Sequence, residues 1–280
     1  MKITLIGVGL IGGSMALKLK AKGFASYIYG VDQNIKHLEE AKELGIIDEI
    51  ATLEVAVSNS DLVIIAIPVD ATRKMISKVL DLAEPGKTFM DVGSTKEGIV
   101  NIIENHPNRS RFVAFHPMWG TENSGPESAT GESFAGKAGV ICDRENSADD
   151  ALKMVEMVAE NLEMHLIYMK AADHDIHTAY ISHISHITSY ALANTVLEKE
   201  REEDTIFQLA SSGFSSTVRL AKSHPEMWVP IFKQNKENVL DVLNEHISQL
   251  RKFKSALEKD NDELLEELIR NANKIRGILR

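Results

Sequence analysis

Seven short apolar segments with little polar alternation divide the first part of the chain, and segments of helical character lie between them. The apolar segments run over 3–6, 27–31, 62–66, 88–90, 112–115, 138–142 and 165–168. The helical segments include 34–44, 70–82, 95–105 and 148–161. Buried strands separated by helices indicate a mostly parallel sheet that is covered on both faces. The pattern predicts an α/β fold with a doubly wound sheet over residues 1–169.

The pattern changes after Met169. No segment from Asp173 onward has the pattern of a strand, whereas 235–259 and 261–277 carry apolar residues at helical spacing. We therefore predict an all-α C-terminal domain over residues 170–280. Because so small a domain has several apolar faces, we expect some of them to pack against a second copy, giving a homodimer through this domain. A self-contained helical bundle is the alternative.

The composition narrows the class of protein. The 280 residues are 44% hydrophobic and carry a formal net charge of −10, which argues against a general nucleic-acid binder because such proteins need a basic surface. No apolar run approaches the roughly 20 residues that span a bilayer, so we expect no membrane association and no targeting signal. The single Cys142 excludes an intrachain disulfide framework and a cysteine zinc cluster. We expect a cytoplasmic protein in which Cys142 is a small buried side chain.

The first predicted strand leads into a glycine-rich sequence, Gly7-Val8-Gly9-Leu10-Ile11-Gly12, and then into a helical segment. Glycine-x-glycine-x-x-glycine between a strand and a helix is typical of a Rossmann-type dinucleotide site. In that site the first glycine allows the tight turn, the second lets the backbone approach a pyrophosphate, and the third lets helix and strand pack closely. The helix N-terminus supplies free amides to the phosphates. We predict that Gly7, Gly9, Leu10, Ile11 and Gly12 bind the cofactor.

Asp32 ends the second predicted strand, twenty residues after Gly12. A carboxylate at this position can accept hydrogen bonds from the ribose hydroxyls of NAD and would repel the additional phosphate of NADP. The next residues, Gln33 and Asn34, do not supply an arginine for that phosphate. The sequence therefore predicts NAD as the cofactor. The alternative for Asp32 is a turn residue before the next helix.

Reactive side chains follow three of the predicted strands, in segments 66–69, 91–96 and 116–122. Ligands of doubly wound sheets bind beyond the carboxyl ends of the strands, where these segments lie. We expect Ile67 and Pro68 to line the nicotinamide pocket.

Several motifs resemble those of prephenate and arogenate dehydrogenases over essentially the whole chain. The first is the glycine-rich opening at 7–14, and the second is D-x-G-S-x-K around Ser94. The others are H-P-M-x-G-T-E from His116, S-H-x-x-H at 182–186, G-F-x-x-T-x-R at 213–219, and the segment from Met227 to Asn238. The resemblance implies NAD-dependent oxidative decarboxylation of prephenate to 4-hydroxyphenylpyruvate, a step of tyrosine biosynthesis.

The resemblance also assigns roles to residues of the three segments. His116 corresponds to the catalytic histidine, and Ser94 to the serine that hydrogen-bonds both this histidine and the substrate hydroxyl, close to the cofactor. A histidine suits proton removal because its ordinary pKa of about 6.5 leaves it largely neutral at pH 7. The alternative is that His116, which precedes a proline, caps a loop and has only a structural role.

Substrate contacts are expected mainly from the helical half. Arg219 corresponds to the family's clamp for the ring carboxylate, which a guanidinium can bind with two hydrogen bonds, whereas the alternative is a surface ion pair. His186 corresponds to a substrate-side histidine. Thr121 and Glu122 are expected at the cleft, where Glu122 could control access or pair with a cation. For Trp228 the interpretation we favour is a core aromatic residue.

The chain departs from many relatives at Ser215 and Ser216, where they carry a lysine and an acidic residue. Arogenate carries an ammonium where prephenate has a side-chain ketone, and Ser216 cannot pair with an ammonium. This difference favours prephenate, with arogenate as the alternative substrate.

Three other interpretations compete with this one. His174, His177, His183 and His186 have a spacing that could bind a metal, but an H-E-x-x-H motif and a clear third ligand are missing, so we expect no metal. A β-hydroxyacid dehydrogenase would share the overall plan but would need a catalytic lysine in the helical domain. A non-catalytic NAD-sensing protein would not need His116, Ser94 and Arg219 together.

Overall fold

A computed structural model of the chain describes residues 1–132, 134–201 and 205–278. The first part forms one sheet of eight strands in the order β3-β2-β1-β4-β5-β6-β7-β8. Neighbouring strands are parallel except β6 and β7, which are antiparallel. The strands are β1 Lys2–Ile6, β2 Tyr27–Val31, β3 Glu49–Ile50, β4 Leu62–Ile65, β5 Thr88–Asp91, β6 Phe112–Pro117, β7 Ala138–Cys142 and β8 His165–Met169.

Helices cover both faces of this sheet. Successive residues of each strand point to opposite sides, so an apolar strand makes both faces of the sheet apolar. Leu62 and Ile64 of β4 belong to one buried apolar cluster, whereas Val63 and Ile65 belong to the other. Among the residues described in this part, the α-helices are α1 Leu10–Ala21, α2 Ile35–Glu43, α3 Leu53–Ser58, α4 Val69–Asp81, α5 Glu97–Ile102 and α6 Asp149–Asn161. The doubly wound α/β prediction is confirmed, and Cys142 is buried in the second cluster.

The part of the chain that the structure describes after Met169 has helices as its only regular structure. A π-helical turn, Ala179–His183, separates the first two α-helices. These α-helices are α7 Ala171–Thr178, α8 Ile184–Glu200, α9 Ser212–Thr217, α10 Pro225–Gln234, α11 Lys236–Glu258 and α12 Asp262–Asn273. No described helix combines the length and the apolar character needed to cross a membrane.

Helix α10 packs the helical part onto the first turn of α4. Val69, Trp228 and Ile231 form a buried apolar cluster at this contact. Beside it, the Thr95 hydroxyl donates a hydrogen bond to the Gln234 side-chain carbonyl at 2.9 Å. This contact brings the helical part over the carboxyl edge of the sheet, where the predicted site lies.

Two elements were not predicted, and one predicted helix is shorter. Strand β3 has two residues, too few for a recognisable pattern, and α3 follows it closely. The helix predicted over 95–105 is limited to α5, and the backbone amides of Lys96 and Glu97 at its start are bound by the Asp175 side chain of α7.

Candidate active site

The glycine-rich loop joins β1 to α1 in a conformation that requires glycine at two positions. Gly7 has a φ of +94°, and a Cβ atom there would lie 2.5 Å from the Ala66 carbonyl oxygen. A Cβ atom at Gly12 would collide with the carbonyl oxygen of Gly7. At Gly9, by contrast, a Cβ atom would meet nothing within 4 Å. The loop therefore packs tightly against β4 while leaving open space at the N-terminus of α1, where free backbone amides can bind an anion.

Asp32 connects the glycine-rich loop to the end of β2. Its carboxylate accepts hydrogen bonds from the backbone amides of Val8 at 3.2 Å and Asn34 at 2.9 Å. Each carboxylate oxygen has two lone pairs, so Asp32 keeps the capacity to accept further hydrogen bonds. Asp32 is half-buried at the edge of the loop.

The other residues predicted for cofactor binding surround the same loop. Ile67 is half-buried, and its side chain would lie 2.8 Å from a Cβ atom at Gly7. Pro68 is exposed and precedes the first residue of α4. Leu10 and Ile11 form the half-buried first turn of α1.

His116 lies near the end of β6, next to the segment that contains Ser94. Strands β5 and β6 are paired with Asp91 opposite Ala114, so these two segments leave the sheet side by side. Among the described residues, however, no hydrogen bond joins Ser94 to His116. The His116 Nδ1 atom instead lies 2.8 Å from Nε2 of His174, a residue of α7.

The surroundings of His116 keep its imidazole neutral. Burial is the largest cause, because it disfavours the charged form, and it holds the pKa of His116 well below 6.5. The nearby His174, Lys96 and His183 lower the pKa of His116 further. A neutral imidazole can accept a proton from a substrate hydroxyl.

Arg219 and Glu122 form an ion pair between the two parts of the chain. Arg219 lies at the start of a 3₁₀-helical turn, Arg219–Lys222, and its Nη1 atom donates a hydrogen bond to Glu122 Oε2 at 2.9 Å. The Arg219 side chain is 52% exposed and that of Glu122 is 26% exposed. Next to Glu122, the Thr121 hydroxyl accepts a hydrogen bond from the Asn123 amide at 3.2 Å. The pair puts a cation and an anion within reach of a ligand in solvent.

His186 lies on α8 and stacks against Trp228, with ring centroids 3.4 Å apart. Its Nδ1 atom is 3.1 Å from the Ser182 carbonyl oxygen, which can only accept, so this nitrogen carries the proton. Burial lowers the pKa of His186, and the charge of Arg219 lowers it further. His186 and Arg219 therefore belong to the same region, and Trp228 is the buried aromatic residue that was predicted, 6% exposed.

Ser215 and Ser216 are exposed on the short helix α9, a few residues before Arg219. The Ser216 hydroxyl donates a hydrogen bond to the Gly213 carbonyl at 2.9 Å. The Ser189 hydroxyl on α8 donates to the Thr217 carbonyl at 3.1 Å and ties this segment to the helical part.

The hydrogen bonds that link His116 to His174, and His174 to Asp175, were not predicted from the sequence. The His174 side chain is buried and hydrogen-bonds to His116 and to Asp175, whereas His177 on the same helix is exposed. The described part of the chain contains no group of three histidine, cysteine, aspartate or glutamate residues placed to hold a metal ion. A histidine next to an aspartate in a helical segment was the available signal, but the partner of this histidine, 58 residues away, could not be recognised.

Comparisons with known proteins agree over the whole chain. Family models for the nucleotide-binding domain and the dimerization domain of prephenate dehydrogenase match residues 15–168 and 170–271. Prephenate dehydrogenase from Bacillus subtilis (strain 168) is 31% identical over 277 residues, which cover 98% of this chain and 75% of the relative.

Two solved structures are similar over nearly the whole chain. One is prephenate dehydrogenase from A. aeolicus in complex with hydroxyphenyl propionate and NAD+, which is 32% identical with a TM-score of 0.90, over 99% of this chain and 98% of that one. The other is Synechocystis arogenate dehydrogenase, which is 26% identical with a TM-score of 0.79, over 100% of both chains.

Proposed function

The chain belongs to the prephenate dehydrogenase family, and on this basis we propose that it catalyses the NAD-dependent oxidative decarboxylation of prephenate to 4-hydroxyphenylpyruvate, a step of tyrosine biosynthesis. The observation that carries the proposal is the position of His116. A half-buried, neutral imidazole lies at the carboxyl edge of the sheet, on the strand next to the Ser94 segment. Such a group can accept the proton that leaves the substrate hydroxyl.

The geometry of the glycine-rich loop supports NAD as the cofactor. The open space at Gly9 would admit a pyrophosphate to the N-terminus of α1, and Asp32 would accept hydrogen bonds from the ribose hydroxyls. Ile67, Pro68 and Ser94 would lie along the nicotinamide. Bound NAD would supply the acceptor for the hydride. The A. aeolicus relative was solved with NAD+, which supports the same assignment.

In the proposed reaction His116 handles one proton. It takes the proton of the 4-hydroxyl while a hydride leaves C4, so that the C4–O bond becomes a carbonyl. The bond between the ring and its carboxylate then breaks, and the electron pair enters the ring, which becomes aromatic and leaves a phenolate oxygen at C4. The proton on His116 can return to that oxygen. Aromatisation drives the reaction, and the protein contributes the orientation and the base.

Arg219 is proposed to bind the ring carboxylate of prephenate. Its guanidinium is accessible and already pairs with a carboxylate, that of Glu122. A substrate carboxylate would replace Glu122 on Arg219. His186, whose Nδ1–H bonds the Ser182 carbonyl, would offer Nε2 to the substrate from the same region. Thr121 and Ser215 are proposed to complete the cleft.

Arogenate is the second candidate substrate, because the similar Synechocystis structure is an arogenate dehydrogenase. Ser216 argues for prephenate, since its hydroxyl has no charge to pair with the ammonium of arogenate and bonds to Gly213. A β-hydroxyacid dehydrogenase and an NAD-sensing protein are disfavoured by the family membership and by the Arg219 and His116 positions.

The test is a comparison of kcat/KM with NAD for prephenate, arogenate and a simple β-hydroxyacid. We expect prephenate to be the best substrate and the β-hydroxyacid to be inert. Faster turnover of arogenate would transfer the proposal to that substrate. Turnover of the β-hydroxyacid alone, or of none of the three, would contradict it.

We further propose that residues 1–169 bind NAD and that residues 170–280 bind substrate and form a homodimer. The match to a family dimerization domain supports this, as do exposed apolar side chains in the helical part such as Ile181, Leu250 and Leu257. Light scattering on the purified protein should give twice the mass of one chain, and a monomeric mass would contradict the proposal. We place the enzyme in the cytoplasm, a reducing compartment that suits the buried, free Cys142.

A further inference from the structure

A chain of hydrogen bonds runs from the Asp175 carboxylate through the His174 ring to the His116 ring. Its carboxylate is almost completely buried, with a side-chain exposure of 3%. It accepts hydrogen bonds from the backbone amides of Lys96 at 2.8 Å and Glu97 at 3.0 Å. The third partner, His174 Nδ1, lies 2.7 Å from Asp175 Oδ1. Backbone amides can only donate, so the Asp175 oxygens act as acceptors.

This arrangement determines where the proton of His174 lies. Its Nδ1 faces a carboxylate oxygen and therefore carries the proton. Burial lowers the pKa of His174 although Asp175 acts in the opposite direction, so the ring is neutral with a lone pair on Nε2. That lone pair faces His116 Nδ1 at 2.8 Å. Two lone pairs cannot share a hydrogen bond, so His116 Nδ1 must donate.

From this geometry we propose that His174 and Asp175 are positioning residues that hold His116 in the tautomer with the proton on Nδ1, which leaves Nε2 as the basic nitrogen. The catalytic role of Nε2 rests on the proposed function, because Nε2 is the nitrogen that would take the proton of the substrate hydroxyl. The tautomer itself is a property of the free protein. In the opposite tautomer Nε2 would carry a proton and could not act as the base.

The same chain would stabilise His116 after it accepts the substrate proton. The resulting imidazolium would donate a stronger hydrogen bond through Nδ1 to His174, and the carboxylate of Asp175 lies behind that ring. The other charged or titratable groups that act on the two rings are Lys96, His183 and Asp91. Lys96 is paired with Asp91 in the interior. Asp175 is therefore the carboxylate in direct contact with the two-histidine chain.

The backbone of Asp175 is also held in place. The Asn235 side-chain amide donates a hydrogen bond to the Asp175 carbonyl at 2.6 Å, and the same nitrogen lies 3.2 Å from His183 Nδ1. The start of α5, the middle of α7 and the start of α11 thus meet at this residue. The amides of Lys96 and Glu97 hold the carboxylate and Asn235 holds the backbone, so Asp175 is fixed in a position that orients the His174 ring.

Nitrogen NMR on histidine-labelled wild-type protein at neutral pH tests the tautomer directly. His116 should show a protonated Nδ1 and an unprotonated Nε2, and His174 should also be protonated on Nδ1. Spectra of His116→Asn and His174→Phe would assign the two rings. A proton on Nε2 of His116 would overturn the inference. This measurement does not depend on turnover, so its outcome is independent of whether prephenate is the substrate.

Kinetics test whether the positioning matters. His174→Phe keeps a ring but removes the acceptor, and we expect kcat to fall by between about 10-fold and 10⁴-fold, the upper end being the cost of a wrong histidine tautomer in a Ser-His-Asp triad. The KM values for prephenate and NAD should stay the same. His174→Gln, which can still offer an acceptor oxygen, should recover most of the loss. The matched control is His177→Phe on the exposed side of the same helix, which should leave kcat unchanged.

A double variant separates positioning from general structural damage. If His174 acts through His116, then adding His174→Phe to His116→Asn should cause little further loss of kcat. Additive losses, or equal losses in His174→Phe and His174→Gln, would overturn the inference while leaving the proposed function intact. A wild-type protein that turns over none of the proposed substrates would instead refute the proposed function.

Discussion

Replacement of Arg219 by alanine should weaken prephenate binding without weakening NAD binding. In the free protein the Arg219 guanidinium is 52% exposed and is bound to Glu122 at 2.9 Å. Such an exposed pair contributes about 0 to 1 kcal/mol to folding, so Arg219→Ala should fold normally. Removal of one partner of a desolvated charge pair costs about 2 to 5 kcal/mol of binding free energy. Because Arg219 is exposed, we expect the loss in Arg219→Ala to lie at the lower end of this range.

A loss of about 2 kcal/mol corresponds to a rise in the KM for prephenate of roughly 30-fold, since about 1.4 kcal/mol is a factor of ten. Glu122→Gln should act in the opposite direction. Because it removes the carboxylate that competes for Arg219, it should lower the KM for prephenate by up to about fivefold, the equivalent of the pair's own 0 to 1 kcal/mol.

The assay is steady-state kinetics with prephenate varied at saturating NAD, and then with NAD varied at saturating prephenate. The control is Lys252→Ala, which removes one positive charge from the exposed surface of α11 and should change neither KM. An unchanged KM for prephenate in Arg219→Ala would refute the role of Arg219. A rise in KM in Glu122→Gln as large as in Arg219→Ala would refute the competition between the two carboxylates.

Given Asp32, kcat/KM should be at least about tenfold higher with NAD than with NADP, or about 1.4 kcal/mol, and equal values would remove the role of Asp32. His116→Asn should bind NAD normally, as measured by titration, and should lose about 10² to 10⁴ in kcat; near-normal turnover would exclude it as the base. Because burial holds the pKa of His116 well below 6.5, the base stays neutral as the pH falls, so kcat/KM should remain level through pH 6.5 and decline only below it. An acid limb at or above pH 6.5 would contradict that assignment. Ser216→Asp should raise kcat/KM for arogenate relative to prephenate, because the new charge attracts the ammonium and repels the pyruvyl carboxylate; an unchanged ratio would place Ser216 away from the substrate side chain.

The sheet and the cofactor loop could be predicted because their signals are local. A buried strand, three glycines and a following helix are adjacent in the sequence, and steric contacts at Gly7 and Gly12 explain why glycine is needed. The reversed direction of β7 relative to β6 has no such signal, because apolar runs carry no information about strand direction. Strand β3 was missed since its two residues are held by pairing with β2 and not by an apolar pattern.

The site could be predicted only where a motif contained the residue. His116 and Arg219 were found in this way, whereas the bond between Arg219 and Glu122 spans 97 positions. His174 was considered as a metal ligand because its spacing from His177 was visible and its contact with His116 was not. The helix geometry decides between the two readings: His174 points into the interior, and His177 points to solvent.

The central claim is that hydride transfer from C4 of prephenate is coupled to loss of the ring carboxylate. Prephenate carrying deuterium at C4 and ¹³C in its ring carboxylate would be incubated with the wild-type protein and NAD, and all products would be quantified from one closed reaction. We expect equal amounts of 4-hydroxyphenylpyruvate, reduced cofactor carrying the deuterium, and labelled carbon dioxide. Reduced cofactor without deuterium, or reduction without release of labelled carbon dioxide, would contradict it.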